Sequence, residues 1–192
     1  MNIRLDKTCA LVIVDVQRDF CPGGALPVRD GDTVVEPLNR YAVLFAHAGA
    51  AIIATRDWHP LSHCSFRTQG GPWPVHCVHD TPGAAFHPAL KLPPDTIIIS
   101  KAESPEIESY SFFGEPGLEQ PLVKRGIRRL FIGGLATDYC VRCTALDAVQ
   151  RGFQACVLTD AIRGVDVQPG DSARAIEEMQ AAGVRLAGAA DF

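Results

Sequence analysis

Six short apolar runs, rich in β-branched residues, recur along the chain: Ala10 to Val14, Ala51 to Thr55, Thr96 to Ser100, Arg129 to Ile132, Ala155 to Leu158 and Val184 to Ala187. Each has the length and composition of a buried strand. Between several of them lie helical patterns over Val34 to Ala48, Leu118 to Arg125, Asp138 to Arg151 and Asp171 to Ala182. Gly49, Gly126, Gly152 and Gly183 fall where helix C-caps belong. Strand alternating with helix predicts a three-layer α/β/α fold around a six-stranded, mostly parallel, doubly wound sheet. The chain has 192 residues, without repeats, low-complexity tracts or a dividing linker, so residues 1–192 are expected to form a single domain.

Charge and cysteine usage narrow the function. A formal net charge of -4 and the lack of a long Lys/Arg run speak against nucleic acid as a partner. The apolar run Cys9 to Val14 is too short for a signal peptide or a membrane span, so a cytoplasmic protein with no membrane association is expected. Seven cysteines, an odd number, read as thiols in a reducing compartment rather than as a disulfide framework. A homo-oligomer is compatible with all of this.

Open α/β sheets bind ligands beyond the carboxyl ends of their strands. The residues that fall there are Asp15, Asp57 with His59, Lys101, and the segment leading to Cys140. Cys140 is placed in the first turn of a helix starting near Asp138, where the helix dipole would lower its thiol pKa. If the strand ends converge, Asp15 can accept the thiol proton while Lys101 steadies the thiolate. Cys140 and Cys143 also form a C-x-x-C pair, which alone would favour a thiol redox protein. Such a site leaves the other three strand ends unexplained.

Asp57 and His59, two apart in extended chain, present their side chains on one face to a single cation. The third ligand is either His76, from the Pro-rich stretch Arg56 to Leu92, or His63, which completes a compact D-x-H-x-x-x-H. Such nitrogen and oxygen donors suit one divalent ion, Zn²⁺, Mn²⁺ or Fe²⁺. His47, His79 and His87 read as ordinary loop or surface residues. The glycines of Gly133-Gly134-Leu135-Ala136-Thr137 give room for a tight turn that points backbone N–H groups at a substrate oxygen. Phe20, Trp73 and Tyr110 are candidates to wall a flat ring.

The segments "DVQRDFCPGGAL", "TRDWHP" followed by "HCSF", "WPVHCVHDTPGAAFHP", the Lys101 region ending "SYSFF", and "GGLATDYCVRCTALDA" run in order from Asp15 to Ala148. Together they resemble the nicotinamidase branch of the isochorismatase-like cysteine hydrolases. The resemblance implies hydrolysis of nicotinamide to nicotinate, with pyrazinamide also accepted, and zinc as the favoured metal. It implies a catalytic triad of Asp15, Lys101 and Cys140, and metal binding by Asp57, His59 and His76, with His63 ligating in some relatives. It further implies an oxyanion hole at the backbone N–H groups of Ala136 and Cys140, and a non-proline cis peptide between Leu135 and Ala136. Phe20 and Trp73 match ring-sandwiching aromatics, and Ala136 and Tyr110 complete the expected substrate pocket. Ala102 and Ser109 depart from the glycine and aspartate common at those places.

Overall fold

A computed structural model describes residues 3–114 and 119–192. Six strands form one sheet: β1 (Cys9–Val14), β2 (Ala51–Asp57), β3 (Ile97–Lys101), β4 (Arg129–Leu135), β5 (Gln154–Arg163) and β6 (Arg185–Ala187). Their order is β3-β2-β1-β4-β5-β6, and every pairing is parallel. The expected doubly wound sheet is therefore present, wholly rather than mostly parallel among the described residues. The chain builds outward from β1 in one direction and from β4 in the other. The switch point of the topology, where open sheets take their ligands, thus lies between the ends of β1 and β4.

β1 is buried along its whole length, and its side chains alternate between two cores. Leu11 and Ile13 join α1 (Val35–His47), which packs Leu38, Tyr41, Ala42 and Phe45 onto one face of the sheet. Ala10, Val12 and Val14 join the other core, with α2 (Glu119–Lys124), α3 (Arg142–Gln150) and α4 (Asp171–Ala181). Apolar residues spaced three and four apart give α1 its buried stripe. Its end is set by Gly49 at φ 69°, followed by an Ala50 N–H bond back to the Phe45 carbonyl.

The sequence boundaries shift where polar residues are buried. β2 and β3 run on to Asp57 and Lys101, which are partners in the ladder rather than residues beyond it. β4 extends to Leu135, and β5 continues past a register shift to Arg163. The helix expected from Asp138 begins instead as a π-turn, Thr137–Val141, and becomes α-helical only at Arg142. The first residue of the expected helix Leu118 to Arg125 lies outside the described residues; α2 covers Glu119–Lys124 and ends one residue short, at a turn. Among the described residues no helix is long and apolar enough to cross a membrane.

Gly134 holds the switch point together. Its φ is 124°, and a Cβ there would lie 2.1 Å from the Val14 carbonyl oxygen. Only glycine lets β4 approach β1 this closely. Gly134→Ala is expected to lower stability by roughly 3 to 5 kcal/mol in chemical denaturation. An unchanged midpoint would show that the two strand ends tolerate separation.

Candidate active site and metal centre

Asp15 follows β1 with a left-handed φ of 48°, which turns its carboxylate back over the sheet. Such a conformation costs a non-glycine residue about 1 to 2 kcal/mol and is maintained by the surrounding fold. Asp15 Oδ1 accepts a hydrogen bond from the Thr55 hydroxyl at 2.7 Å. Asp15 Oδ2 stands 3.0 Å from Lys101 Nζ, without another donor aligned to it. Lys101 also contacts Asp57 Oδ1, donates to the Ser109 carbonyl at 3.2 Å and lies 3.6 Å from Cys140 Sγ. Asp15, Asp57 and Cys140 bring their side-chain donor atoms within 4.8 Å of one another, all buried. Four strand ends therefore converge as expected.

Their protonation follows from burial and from one cation. Burial pushes the Asp15 carboxyl up to about 6, with Lys101 opposing the rise. Burial also drives the Cys140 thiol well above its ordinary value, Lys101 countering only part of it. Lys101 would lose its charge to burial, but Asp15 and Asp57 hold it well above the usual lysine range. The sequence expectation of a thiol acidified by a helix N-terminus is thus corrected. Cys140 sits in the π-turn ahead of α3, and burial is the largest influence on its thiol. Near neutral pH the proton rests on sulfur and the charge on Asp15.

Asp57, His59 and His76 form a second cluster, with donor atoms within 4.8 Å of one another and all three buried. Asp57 Oδ2 lies 3.6 Å from His59 Nε2. His59 Nδ1 donates to the Ala102 carbonyl at 3.1 Å, and His76 Nδ1 donates to the Pro74 carbonyl at 2.8 Å. Each ring is thereby oriented by a backbone carbonyl at Nδ1, the arrangement that prepares an imidazole to ligate a metal through its other nitrogen. Lys101 holds Asp57 ionised well below the carboxylate range, although burial works against the charge. A carboxylate with two oriented imidazoles fits a divalent cation.

His76 reaches this cluster because His59 bridges to the strand-like segment at Val78, donating its N–H to the Cys77 carbonyl and accepting that of His79. His63 is placed differently. It stacks on His59 with ring centroids 4.1 Å apart, its Nδ1 against the Ser65 hydroxyl at 2.8 Å and its Nε2 on the Ile107 carbonyl at 3.1 Å. With both ring nitrogens engaged, His63 lies outside the Asp57, His59 and His76 cluster.

Phe20, Trp73, Tyr110 and Ala136 line one narrow cleft with Cys140, Asp57 and His76. Trp73 Nε1 donates to the Tyr110 hydroxyl at 2.9 Å, and both rings lean on Tyr139. The Leu135–Ala136 peptide is cis. Cys143 lies half-buried on α3, its thiol raised by burial, so neither sulfur of the C-x-x-C pair has the acidity that thiol exchange favours. The two departures act through backbone: Ala102 accepts from His59 at a left-handed φ of 54°, a conformation glycine adopts freely, and Ser109 accepts from Lys101.

Sequence reasoning passed over several contributors. Thr55 orients Asp15, and the Gln17 amide clamps the Asp57 backbone through its N–H and its carbonyl, both at 2.8 Å. Leu26, Tyr139 and Val165 complete the cleft. Gln17 lies two residues after Asp15 in the sequence; the others carry no signal.

The family model of the isochorismatase domain matches residues 9–191. Nicotinamidase from Escherichia coli (strain K12) is 43% identical, the alignment covering 95% of this chain and 96% of that one. A crystal structure of pyrazinamidase of Pyrococcus horikoshii in complex with zinc is 50% identical with a TM-score of 0.88, covering 94% of this chain and 99% of that one. PnC1 from L. infantum in complex with nicotinate is 36% identical with a TM-score of 0.92, covering 100% of this chain and 98% of that one. The architecture, the strand ends and these similarities agree: the chain belongs to the isochorismatase family.

Proposed function

We propose that this chain is an amidohydrolase that converts nicotinamide to nicotinate and ammonia through a thioester on Cys140, and that it accepts pyrazinamide as well. The observation that carries the proposal is the meeting of Asp15, Lys101 and Cys140 in one buried cluster beside a three-residue metal site at the end of a flat, aromatic cleft. The names of similar proteins, which include a nicotinamidase and a pyrazinamidase, support the substrate.

Asp15 Oδ2, paired with the Lys101 ammonium at 3.0 Å, takes the proton from Cys140 Sγ. The sulfur adds to the carboxamide carbon, and the carbonyl electron pair moves onto oxygen. Backbone N–H groups of Ala136 and Cys140 receive that oxyanion, a preorganised effect contributing roughly 3 to 4 kcal/mol per donor. Asp15 returns its proton to nitrogen, the C–N bond breaks and ammonia leaves. Water then attacks the thioester with Asp15 as base, nicotinate departs and Cys140 regains its proton. Lys101 stays cationic throughout, steadying whichever of Asp15 and Cys140 bears charge. Asp57, His59 and His76 would hold the divalent ion, zinc being the expected one, which when bound supplies a Lewis-acid contact for the pyridine end of the substrate. Phe20 and Trp73 sandwich the ring, so that the carboxamide is presented to the thiol. A cytoplasmic setting suits seven free thiols.

Cys140→Ala is expected to lower ammonia release from nicotinamide by more than about 10³-fold with metal content unchanged, while Cys143→Ser stays close to wild type. Retained turnover in Cys140→Ala would remove the sulfur from the reaction.

For the metal, His59→Ala should fail to retain a stoichiometric divalent ion in elemental analysis, whereas His63→Ala should keep it. The reverse result would exchange the two histidines' places. Asp15 works as a carboxylate with a pKa near 6. The rate constant kcat/KM for nicotinamide is therefore full above that value and falls as pH drops through it; a flat profile from pH 7 down to about 4.5 would exclude Asp15 as the base.

A further inference from the structure

Asp138 lies two residues before Cys140 in the π-turn, is buried, and bonds to neither the thiol nor Lys101. Both carboxylate oxygens are taken by the loop between β5 and α4: Oδ1 accepts the Val165 N–H at 2.9 Å and Oδ2 the Asp166 N–H at 2.8 Å. Val165 is the residue of that loop that lines the cleft beside Ala136, Tyr139 and Cys140. At its other end the loop is tied to α4. Asp166, at a left-handed φ of 50°, accepts the Ser172 N–H and the Ser172 hydroxyl, each at 2.8 Å. Gly164 closes the assembly, since a Cβ there would lie 1.7 Å from Ser172 Oγ and 3.2 Å from Asp138 Oδ1.

We propose that Asp138 is a positioning residue whose carboxylate clamps this loop to the nucleophile's turn, so that Val165 closes the substrate cleft at a width set for a flat ring. The inference rests on the nicotinamide-hydrolysing reading of the same cleft. The cleft is narrow, and Val165, whose side chain packs partly buried against the core on the α1 side, has its backbone fixed by Asp138, so the register of two N–H bonds helps decide where its methyl groups stand. A carboxylate suits the task because it accepts on both oxygens, whereas an amide presents an acceptor to one N–H and an N–H group to the other. Neither oxygen bonds the Cys140 thiol or Lys101, so Asp138 affects how the ring is held, not the bond-breaking steps.

The test compares wild type, Asp138→Asn, Val165→Ala and the double variant in steady-state kinetics with nicotinamide, with backbone hydrogen exchange measured in parallel. Asp138→Asn is expected to raise KM about tenfold, in line with one lost charged hydrogen bond, and to leave kcat within about threefold. Val165→Ala should raise KM in the same way, and adding Asp138→Asn to it should change KM little, because both act through one wall. The Val165 and Asp166 amides should exchange faster in Asp138→Asn while those of β1 and β4 remain protected. Additive KM effects, a fall in kcat at constant KM, or unchanged protection of the two amides would each overturn the proposal. If Asp138→Asn does not fold, Ser172→Ala releases the far end of the loop and should raise KM about threefold, since a neutral hydrogen bond is lost; an unchanged KM contradicts the clamp. A wild-type protein inert toward nicotinamide would refute the substrate reading, while the exchange measurement would still decide whether Asp138 holds the loop.

Discussion

Lys101 carries an ammonium with 1% side-chain exposure into the protein, and the rest of the site is arranged around it. Such a charge is tolerated in the interior only when opposite charge and acceptors surround it. Asp15 from the end of β1, Asp57 from the end of β2 and the Ser109 carbonyl supply them. Two carboxylates against one ammonium leave a single net negative charge in a buried space, which invites a divalent cation on one side and a mobile proton on the other. Asp57 faces the histidines and Asp15 faces the thiol. Lys101 is thus the common member of two half-sites that would otherwise be separate features.

That shared lysine explains why the ends of β1, β2, β3 and β4 must meet. Parallel pairing places Asp57 beside Lys101 in register, and the β1–β4 contact at Gly134 brings the Cys140 turn up to Asp15. The fold supplies a crevice at its topological switch point; the chemistry comes from which residues end the strands. Neutral hydrogen-bonding residues then fix the charged ones, Thr55 on Asp15 and Gln17 on the Asp57 backbone.

Much of this was legible in the amino-acid order. Runs such as Cys9–Val14 announce themselves because every residue is apolar, and the glycine-terminated helices follow from their apolar spacing. Strand ends were read short because a charged residue looks like a boundary, whereas Asp57 and Lys101 keep their ladder positions and are buried by pairing with each other. The choice between His63 and His76 was not legible: local spacing offers both, and the bridge between His59 and Val78, a pairing across the Pro-rich excursion, decides which ring joins Asp57. The thiol's ionisation is not legible for a similar reason, since a helix start is visible in sequence and the depth of burial is not. Thr55 and Val165 carried no sign of their roles, one being an ordinary strand residue and the other an ordinary loop residue until the fold brings them to Asp15 and the cleft.

The proposed reaction requires the carboxamide carbon to become covalently attached to the Cys140 sulfur during turnover. It is tested most directly by acid-quenching the protein during steady-state reaction with nicotinamide and mapping any acyl adduct by peptide mass spectrometry. A nicotinoyl group on the peptide containing Cys140, removed by hydroxylamine as thioesters are, is the expected result. Sustained ammonia release with an adduct on another residue, or with no acyl-enzyme even in a variant slowed in its hydrolysis, would contradict it.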